Sequence, residues 1–232
     1  MTSVVLSTFD PKCVRAQGYP ISRWYVIPIT SRVASWLKST WIRPTHVTIL
    51  GALFGLSAIG LLLVSPTAGS AAAAFILAAW FMDRTDGVLA RLQNSVSPFG
   101  AWLDANVDEF HDIAWHTAMA CAAAAVTGSE SPWFLLVGFL AGKYLFMNGV
   151  AEERALSREA EDGQNMAKTS GLNHWIRTVY HLPGNADVRL HLLVIALLLG
   201  LPMVELAFVA FYYNFRWILR IGLTARRLEG CR

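Results

Sequence analysis

Four aspartates stand in the middle of an otherwise apolar part of this chain. The segment before them, Ala71–Met82, is entirely apolar, and the chain becomes apolar again from Ile113. An ionised side chain within a membrane span is costly unless it is paired, so such carboxylates are functional candidates by default. The predicted functional carboxylates are Asp83, Asp86, Asp104 and Asp108.

The spacing of these aspartates indicates a shared site. Asp83 and Asp86 are three residues apart, and Asp104 and Asp108 are four apart, so each pair lies on one helical face. Residues 92–99 contain Asn, Ser and Pro, which is typical of a tight connection between two helices. At a rise of about 1.5 Å per residue, an antiparallel hairpin would set all four carboxylates at one depth. An all-oxygen cluster of this kind suits Mg²⁺ or Mn²⁺, with room for two ions, better than zinc or copper.

Small residues accompany the aspartates. Gly87 and Ala90 follow Asp86, and Gly100 lies one turn before Asp104 on the same face. Their small size would let a bulky ligand approach both backbones, with Arg91 near the mouth to meet a phosphate. The alternative is that the glycines only allow two helices to pack closely, as small residues do in membranes.

Together these positions resemble the signature of the CDP-alcohol phosphotransferase family. That signature reads Asp-x-x-Asp-Gly-x-x-Ala-Arg, then eight residues, then Gly-x-x-x-Asp-x-x-x-Asp. Every fixed position is matched here, by Asp83, Asp86, Gly87, Ala90, Arg91, Gly100, Asp104 and Asp108. The motif covers only residues 83–108, but the hydropathy of the remaining chain agrees with the six-helix membrane fold of that family.

The resemblance implies a reaction and a role for each residue. In the family, an alcohol attacks the phosphate that joins CMP to another alcohol, and CMP is released. Asp83, Asp86 and Asp104 are then expected to hold the metal ions. Asp108 is expected to act as the base, and it is also a candidate metal ligand. Contacts to the CDP moiety are expected from Gly87, Ala90, Arg91 and Gly100. The resemblance also implies a homodimer.

The donor and acceptor are predicted from the spacer. Residues 95–100 look like those of the bacterial phosphatidyl-transferring members, and the His-Gly-Cys-Asp run of the eukaryotic choline and ethanolamine enzymes is absent. We therefore expect CDP-diacylglycerol as donor and a polar alcohol as acceptor, in phospholipid biosynthesis. The alternative within the family is a CDP-linked headgroup as donor, with a lipid or soluble acceptor.

Apolar runs predict an all-α integral membrane protein. Hydrophobic residues make up 55% of the 232 residues, and six spans can be placed at 46–65, 71–92, 99–126, 133–153, 186–201 and 204–225. Before them, residues 21–43 mix aromatic and basic side chains, which predicts an amphipathic helix at the membrane surface, interrupted near Pro28. The predicted organisation is an N-terminal segment (1–45), a catalytic membrane domain (46–225) and a basic tail (226–232).

The distribution of charge predicts the orientation. The loops near 65–70, 127–132 and 201–204 contain neither Lys nor Arg, whereas the other side collects the basic residues. By the positive-inside rule both termini and the aspartates are expected on the cytoplasmic side of a multi-pass protein, in the inner or plasma membrane if the source is bacterial. No cleavable signal peptide is predicted at the N-terminus. The net charge of +3 reflects this sidedness and does not predict nucleic-acid binding.

Further polar residues lie in or beside the predicted spans. Asp112 and His111 follow the motif and are predicted to support the metal ligands through hydrogen bonds, with His116 one turn further on. Four basic residues are candidates for contacts to the acceptor or to a phosphate: Lys143, Arg154, Arg216 and Arg220. For Arg220 the alternative is that the side chain extends to the membrane interface.

Other classes of membrane protein also use intramembrane carboxylates. A UbiA-like prenyltransferase would need a second, distant Asp-rich cluster, and none is found in the sequence. A cation transporter would not need the Asp-Gly-x-x-Ala-Arg run, and a scaffold protein whose aspartates are merely buried and paired is the remaining alternative. Cys13, Cys121 and Cys231 are scattered without metal-ligand spacing, so they predict neither a disulfide framework nor a zinc site.

Overall fold

A computed structural model describes residues 20–161 and 184–229 of the chain. Within those ranges the chain forms a short 3₁₀ turn, Ser22–Trp24, followed by seven α-helices and no strand. The helices are α1 (Val26–Leu37), α2 (Pro44–Val64), α3 (Gly69–Leu92), α4 (Pro98–Thr127), α5 (Ser131–Glu161), α6 (Ala186–Leu199) and α7 (Pro202–Glu229). The prediction of an all-helical protein is confirmed.

Each predicted span coincides with one of the helices α2 to α7. Of the described residues, Pro44–Val64 and Ser131–Glu153 are long and apolar enough to cross a membrane by length and composition. Of the most apolar 18-residue stretch in each helix, only 28% and 22%, respectively, is buried inside the protein. Most of this apolar surface therefore faces outward. That exposure is expected of helices in contact with lipid rather than of the core helix of a soluble protein. Membrane association is therefore supported, and the number of six spans stays a prediction.

Helix boundaries differ from the prediction at two places. Pro28 lies in the first turn of α1, where its missing N–H is not needed, so it does not interrupt the helix, which is shorter than 21–43. The fifth span, predicted at 186–201, is a helix of only 14 residues capped by Gly200, whose φ of 67° is left-handed. Pro202 then begins α7. Glycine adopts this left-handed conformation without steric cost, which explains the sharp stop.

Two apolar clusters hold the helices together. The larger cluster contains the buried faces of α2 to α7, including Leu62, Ile76, Met119, Phe139 and Leu193. The smaller one joins α1 to the ends of α2 and α3 that lie near the aspartate motif. In the packing, α3 contacts α1, α2 and α6, whereas α4 contacts α2, α5 and α7. The two motif helices thus share α2 as a neighbour and otherwise pack against different helices.

Close approach of α2 to α4 depends on Gly55. The indole Nε1 of Trp115 donates a hydrogen bond to the Gly55 carbonyl at 3.1 Å, and a Cβ atom at Gly55 would lie 2.2 Å from Nε2 of the buried His111. We expect Gly55→Ala to lower the free energy of unfolding by about 1–3 kcal/mol, since the stacked His111 ring cannot move away without disturbing Trp115. Denaturant unfolding of purified protein in detergent measures this loss.

The matched control for this prediction is Gly60 on the same helix. Among the described residues, nothing outside the neighbouring backbone of the helix itself lies within 4 Å of the position that a Cβ would take at Gly60. Gly60→Ala should therefore leave the stability unchanged or raise it slightly, because alanine favours helix over glycine. Equal losses for the two variants would contradict a specific steric requirement at Gly55.

Candidate active site

Three of the four predicted aspartates converge. Asp83 on α3 and Asp104 and Asp108 on α4 each offer a carboxylate oxygen, and these oxygens lie within 4.8 Å of one another. We call these three residues the acidic triad. Three carboxylates at this spacing repel one another, and a divalent cation would relieve the repulsion while accepting hard oxygen ligands. The donor set therefore fits Mg²⁺ or Mn²⁺, as the sequence predicts.

Asp86 takes a different contact. Its carboxylate is buried and accepts a hydrogen bond from Thr48 Oγ1 on α2 at 2.5 Å. Asp86 is therefore next to the triad in the motif but is not one of its three converging groups. The role of Thr48 has no local signal in the sequence, because the two residues are 38 positions apart.

Beside the triad lies a cation for which the sequence pattern predicts no role. Arg84, at a variable position of the motif, is hydrogen-bonded and ion-paired to Asp83. Its Nη2 also lies 3.9 Å from Oδ2 of Asp108, and its guanidinium carbon lies 4.3 Å from the centre of the Trp80 ring. Arg84 thus offsets part of the negative charge of the triad and rests on an aromatic surface, which is a favourable contact for a cation.

The residues predicted to contact the CDP moiety lie near the connection between α3 and α4. Arg91 is exposed, and its guanidinium nitrogens lie 3.6 and 3.7 Å from the position that a Cβ would take at Gly87. The Gly100 N–H donates to Ser97 Oγ in the first turn of α4. Ala90 is half-buried and Gly100 is exposed. This arrangement leaves Arg91 accessible to a phosphate, and nucleotide binding by these residues stays a prediction.

One turn beyond the triad lies a second charged cluster. Asp112 on α4 forms an ion pair with Lys143 of α5, and Arg189 of α6 donates to Asp112 Oδ1 at 2.9 Å. Arg189 also donates to the Tyr213 hydroxyl at 2.6 Å, and Lys143 lies 2.7 Å from Glu109. Asp112 thus belongs to a buried ionic network that joins α4, α5, α6 and α7, and support of the metal ligands by Asp112 stays a prediction.

Other predicted acceptor contacts lie between α5 and α7. Arg216 is buried, donates to the Tyr212 hydroxyl at 2.9 Å and lies over the Phe146 ring at 4.0 Å. Arg220 is ion-paired with Glu153. The side chain of Arg154 lies outside the described residues. Whether any of these contacts an acceptor stays a prediction.

The two histidines that follow the motif occupy different environments. His111 is buried against Trp115, with ring centres 4.8 Å apart, and its Nε2 has no hydrogen-bond partner in the described residues. His116 bonds the Asp112 carbonyl through Nδ1 at 2.6 Å and Glu205 of α7 through Nε2 at 3.1 Å. A carbonyl only accepts, so Nδ1 carries a proton, and a second proton is shared between Nε2 and Glu205. His116 therefore connects α4 to α7.

A cavity of about 300 Å³ extends from the triad into the helix bundle. Its walls come from α3, α4 and the first half of α6. Asp83 and Asp108 line the cavity, together with Glu109, Asp112 and Arg189. The volume is at the lower end of the range for small-molecule sites. A small polar molecule in this space would meet charged groups and the triad together.

Comparison with known proteins identifies the family. Residues 41–215, more than half of the chain and including the whole motif, match the family model described as CDP-alcohol phosphatidyltransferase. A curated relative, the bifunctional IPC transferase and DIPP synthase of Aquifex aeolicus, is 26% identical over 207 residues. The alignment covers 89% of this chain but 44% of the relative, so the chain spans less than half of that protein's length.

A solved structure shows the same fold. The phosphatidylinositol phosphate synthase of Mycobacterium tuberculosis, crystallised with CDP-DAG bound, superposes with a TM-score of 0.59 and 19% sequence identity. The superposition covers 84% of this chain and 92% of that one. At this identity the likeness concerns the fold, whereas the family model also covers the aspartate motif. The chain belongs to the CDP-alcohol phosphatidyltransferase family.

Proposed function

We propose that this protein transfers a phosphoalcohol group from a CDP-alcohol to the hydroxyl of an acceptor alcohol and releases CMP. The observation that carries the proposal is the convergence of the acidic triad within 4.8 Å, in a chain of this family. The prenyltransferase, transporter and scaffold alternatives have no comparable support. The reaction depends on a divalent metal, because the triad has the ligands for one and the donor brings a charged pyrophosphate to it.

The metal would be held by Asp83 and Asp104, with Asp108 within reach of the same ion and Asp86 as the candidate ligand of a second. Bound metal would neutralise charge on the pyrophosphate and stabilise the departing CMP. Arg84 is ion-paired with Asp83 and lies 3.9 Å from Asp108. It would keep the carboxylates close together until the metal binds. Mg²⁺ and Mn²⁺ both suit this donor set.

Asp108 is proposed as the general base. An alcohol is a weak nucleophile near neutral pH, so a positioned carboxylate that takes its proton assists the attack. In the step, the acceptor oxygen bonds to the phosphorus that carries the donor alcohol, and the bond from that phosphorus to the CMP oxygen breaks. The acceptor proton passes to Asp108. Asp108 lines the cavity, which offers a place for the acceptor beside it.

The donor would bind on the motif side. Gly87, Ala90 and Gly100 leave space for the nucleotide, and the exposed Arg91 would meet its phosphates. We propose CDP-diacylglycerol as donor and a small polar alcohol as acceptor. The solved relative was crystallised with CDP-DAG, and the outward-facing apolar surface of the helices suits a lipid donor in the bilayer. Lys143, Arg154, Arg216 and Arg220 are the candidate contacts for an acidic acceptor.

We propose six membrane spans, formed by α2 to α7, with α1 lying along the membrane surface. The aromatic side chains of Trp24, Trp36 and Trp41 are each at least 74% exposed, which suits headgroup depth. The distribution of Lys and Arg supports a cytoplasmic location for both termini and for the acidic triad. The proposed organisation is an N-terminal segment (1–45), a catalytic domain (46–225) and a basic tail (226–232), assembled as a homodimer.

The test is CMP release by purified protein in detergent. CDP-diacylglycerol, CDP-choline, CDP-ethanolamine and CDP-glycerol would each be offered with a panel of polar alcohols and with diacylglycerol. Product from CDP-diacylglycerol with one polar acceptor would support the proposal as stated. Product only from a CDP-linked headgroup would replace the donor assignment with the alternative. No CMP from any pair, together with no binding of CDP by folded protein, would refute the function.

Removal of divalent metal is expected to abolish CMP release. With EDTA in excess, the rate should fall by at least about 100-fold, because the pyrophosphate then approaches uncompensated carboxylates. Added Mg²⁺ or Mn²⁺ should restore the rate, and Asp104→Asn should raise the Mn²⁺ concentration needed for half-maximal rate. Full activity in EDTA would contradict metal dependence.

A further inference from the structure

A line of buried hydrogen bonds connects α6 to the segment that precedes α1. Asp187, in the first turn of α6, is completely buried. Its Oδ2 accepts hydrogen bonds from the backbone N–H groups of Ile21 and Ser22 at 2.7 and 2.9 Å. Its Oδ1 accepts a further hydrogen bond from the Ser22 hydroxyl. One carboxylate therefore holds the 3₁₀ turn against the helix bundle.

The Ser22 hydroxyl continues this line to α3. Because it donates its proton to Asp187, its oxygen is left as an acceptor, and the indole Nε1 of Trp80 donates to it at 2.8 Å. Ser22 is completely buried and Trp80 is 5% exposed, so bulk solvent has little access to either partner. Loss of the hydroxyl would leave the indole N–H without its acceptor, which is costly in a buried site.

Trp80 in turn lines the same cavity as Asp83 and Asp108 of the triad. Its ring supports the guanidinium of Arg84, which is ion-paired with Asp83. Trp80 and Asp83 also line the cavity together, one turn apart on α3. The orientation of the indole ring therefore affects both the position of Arg84 and the shape of the wall next to the triad.

We propose that Asp187 and Ser22 are positioning residues for the acidic triad, acting through Trp80 and Arg84. The measurement of kcat that tests this inference rests on the proposed function, whereas the measurement of Mn²⁺ binding does not. The segment before α1 thereby has a role beyond contact with the membrane: it completes the support of Asp83. Ser22 and Asp187 are not among the residues that line the cavity, so their loss should lower kcat and weaken metal binding while KM for the donor changes little.

The experiment compares Ser22→Ala, Trp80→Phe and the double variant in the full-length protein. Trp80→Phe keeps an aromatic ring beneath Arg84 but removes the N–H. We expect each single variant to lower kcat by about fivefold, the effect of one buried hydrogen bond. The double variant should be no worse than either single variant, since both remove the same bond. Mn²⁺ binding, followed by electron paramagnetic resonance, should weaken in parallel.

The matched control is Tyr25→Phe. The Tyr25 hydroxyl bonds His191 of α6, whose Nδ1 contacts the Asp187 main-chain carbonyl, so it ties the same segment to the same helix by a bond other than that between Ser22 and Trp80. Tyr25→Phe should lower the melting temperature as much as Ser22→Ala does but leave kcat and Mn²⁺ binding unchanged. Asp187→Asn should resemble Ser22→Ala; if it does not fold, the Ser22 and Trp80 variants decide the question.

Two results would overturn the inference. One is a normal kcat and normal Mn²⁺ affinity in Ser22→Ala and Trp80→Phe with lowered stability, which would make the bonds purely structural. The other is a kcat loss in Tyr25→Phe equal to that in Ser22→Ala, which would assign the effect to general loosening of the segment. If the wild-type protein released no CMP, the Mn²⁺ affinities of the same variants would still decide between these outcomes.

Discussion

Replacing Asp108 with asparagine is expected to lower the rate of CMP release by about 1,000-fold, within the range found for loss of a general base. The amide has nearly the same shape as the carboxylate but cannot take the acceptor proton. It is also a weaker ligand for a hard cation. The rate is measured with the donor and acceptor pair that is productive in the substrate panel, at saturating metal.

Two comparisons make this result specific. Glu152→Gln removes one carboxylate from an exposed position on α5 and should leave the rate unchanged. Asp104→Asn should also lose activity, but with a marked loss of Mn²⁺ affinity. If Asp108 acts only as base, Asp108→Asn keeps the Mn²⁺ affinity of the wild type. A rate within tenfold of wild type for Asp108→Asn would exclude it as the base.

Asp112→Asn is expected to lower the free energy of unfolding by more than Gly55→Ala or Glu109→Gln does. The substitution preserves size but removes the negative charge between Lys143 and Arg189. Both cations lie in the interior of the helix bundle, since Lys143 is 5% exposed and the side chain of Arg189 12%. Removing one partner of a buried ionic contact typically costs about 3–5 kcal/mol, because the remaining charge is left without compensation. Denaturant unfolding in detergent measures the loss.

The same network offers a rescue and a control. Lys143→Met, added to Asp112→Asn, removes one of the two cations that lost the Asp112 charge and should recover part of the lost stability. Glu109→Gln removes the other carboxylate that contacts Lys143. The Glu109 side chain is 43% exposed, so this change should cost no more than about 1 kcal/mol. A loss below about 1 kcal/mol for Asp112→Asn itself would contradict a structural role for the network.

The features that depend on short-range periodicity could be predicted from the amino-acid sequence. Carboxylates three and four residues apart indicated shared helical faces, and the polar break at residues 92–99 indicated where one helix ends and the next begins. The structure has α3 ending at Leu92 and α4 beginning at Pro98, and three of the four aspartates converge. These features follow from local geometry, since the rise and turn of a helix relate spacing in sequence to position in space.

Packing between distant segments determines the contacts that short-range periodicity does not predict. Asp86 takes Thr48 as its partner instead of joining the triad, Arg84 rests on Trp80, and Lys143 forms an ion pair with Asp112. The bonds of Ser22 to Trp80 and Asp187 join residues 58 and 165 positions apart. No helical period relates such residues, and one buried polar side chain offers no sign of which other it will meet. Their pairing is determined when the helices pack, because a buried donor or acceptor must then find its partner within the protein.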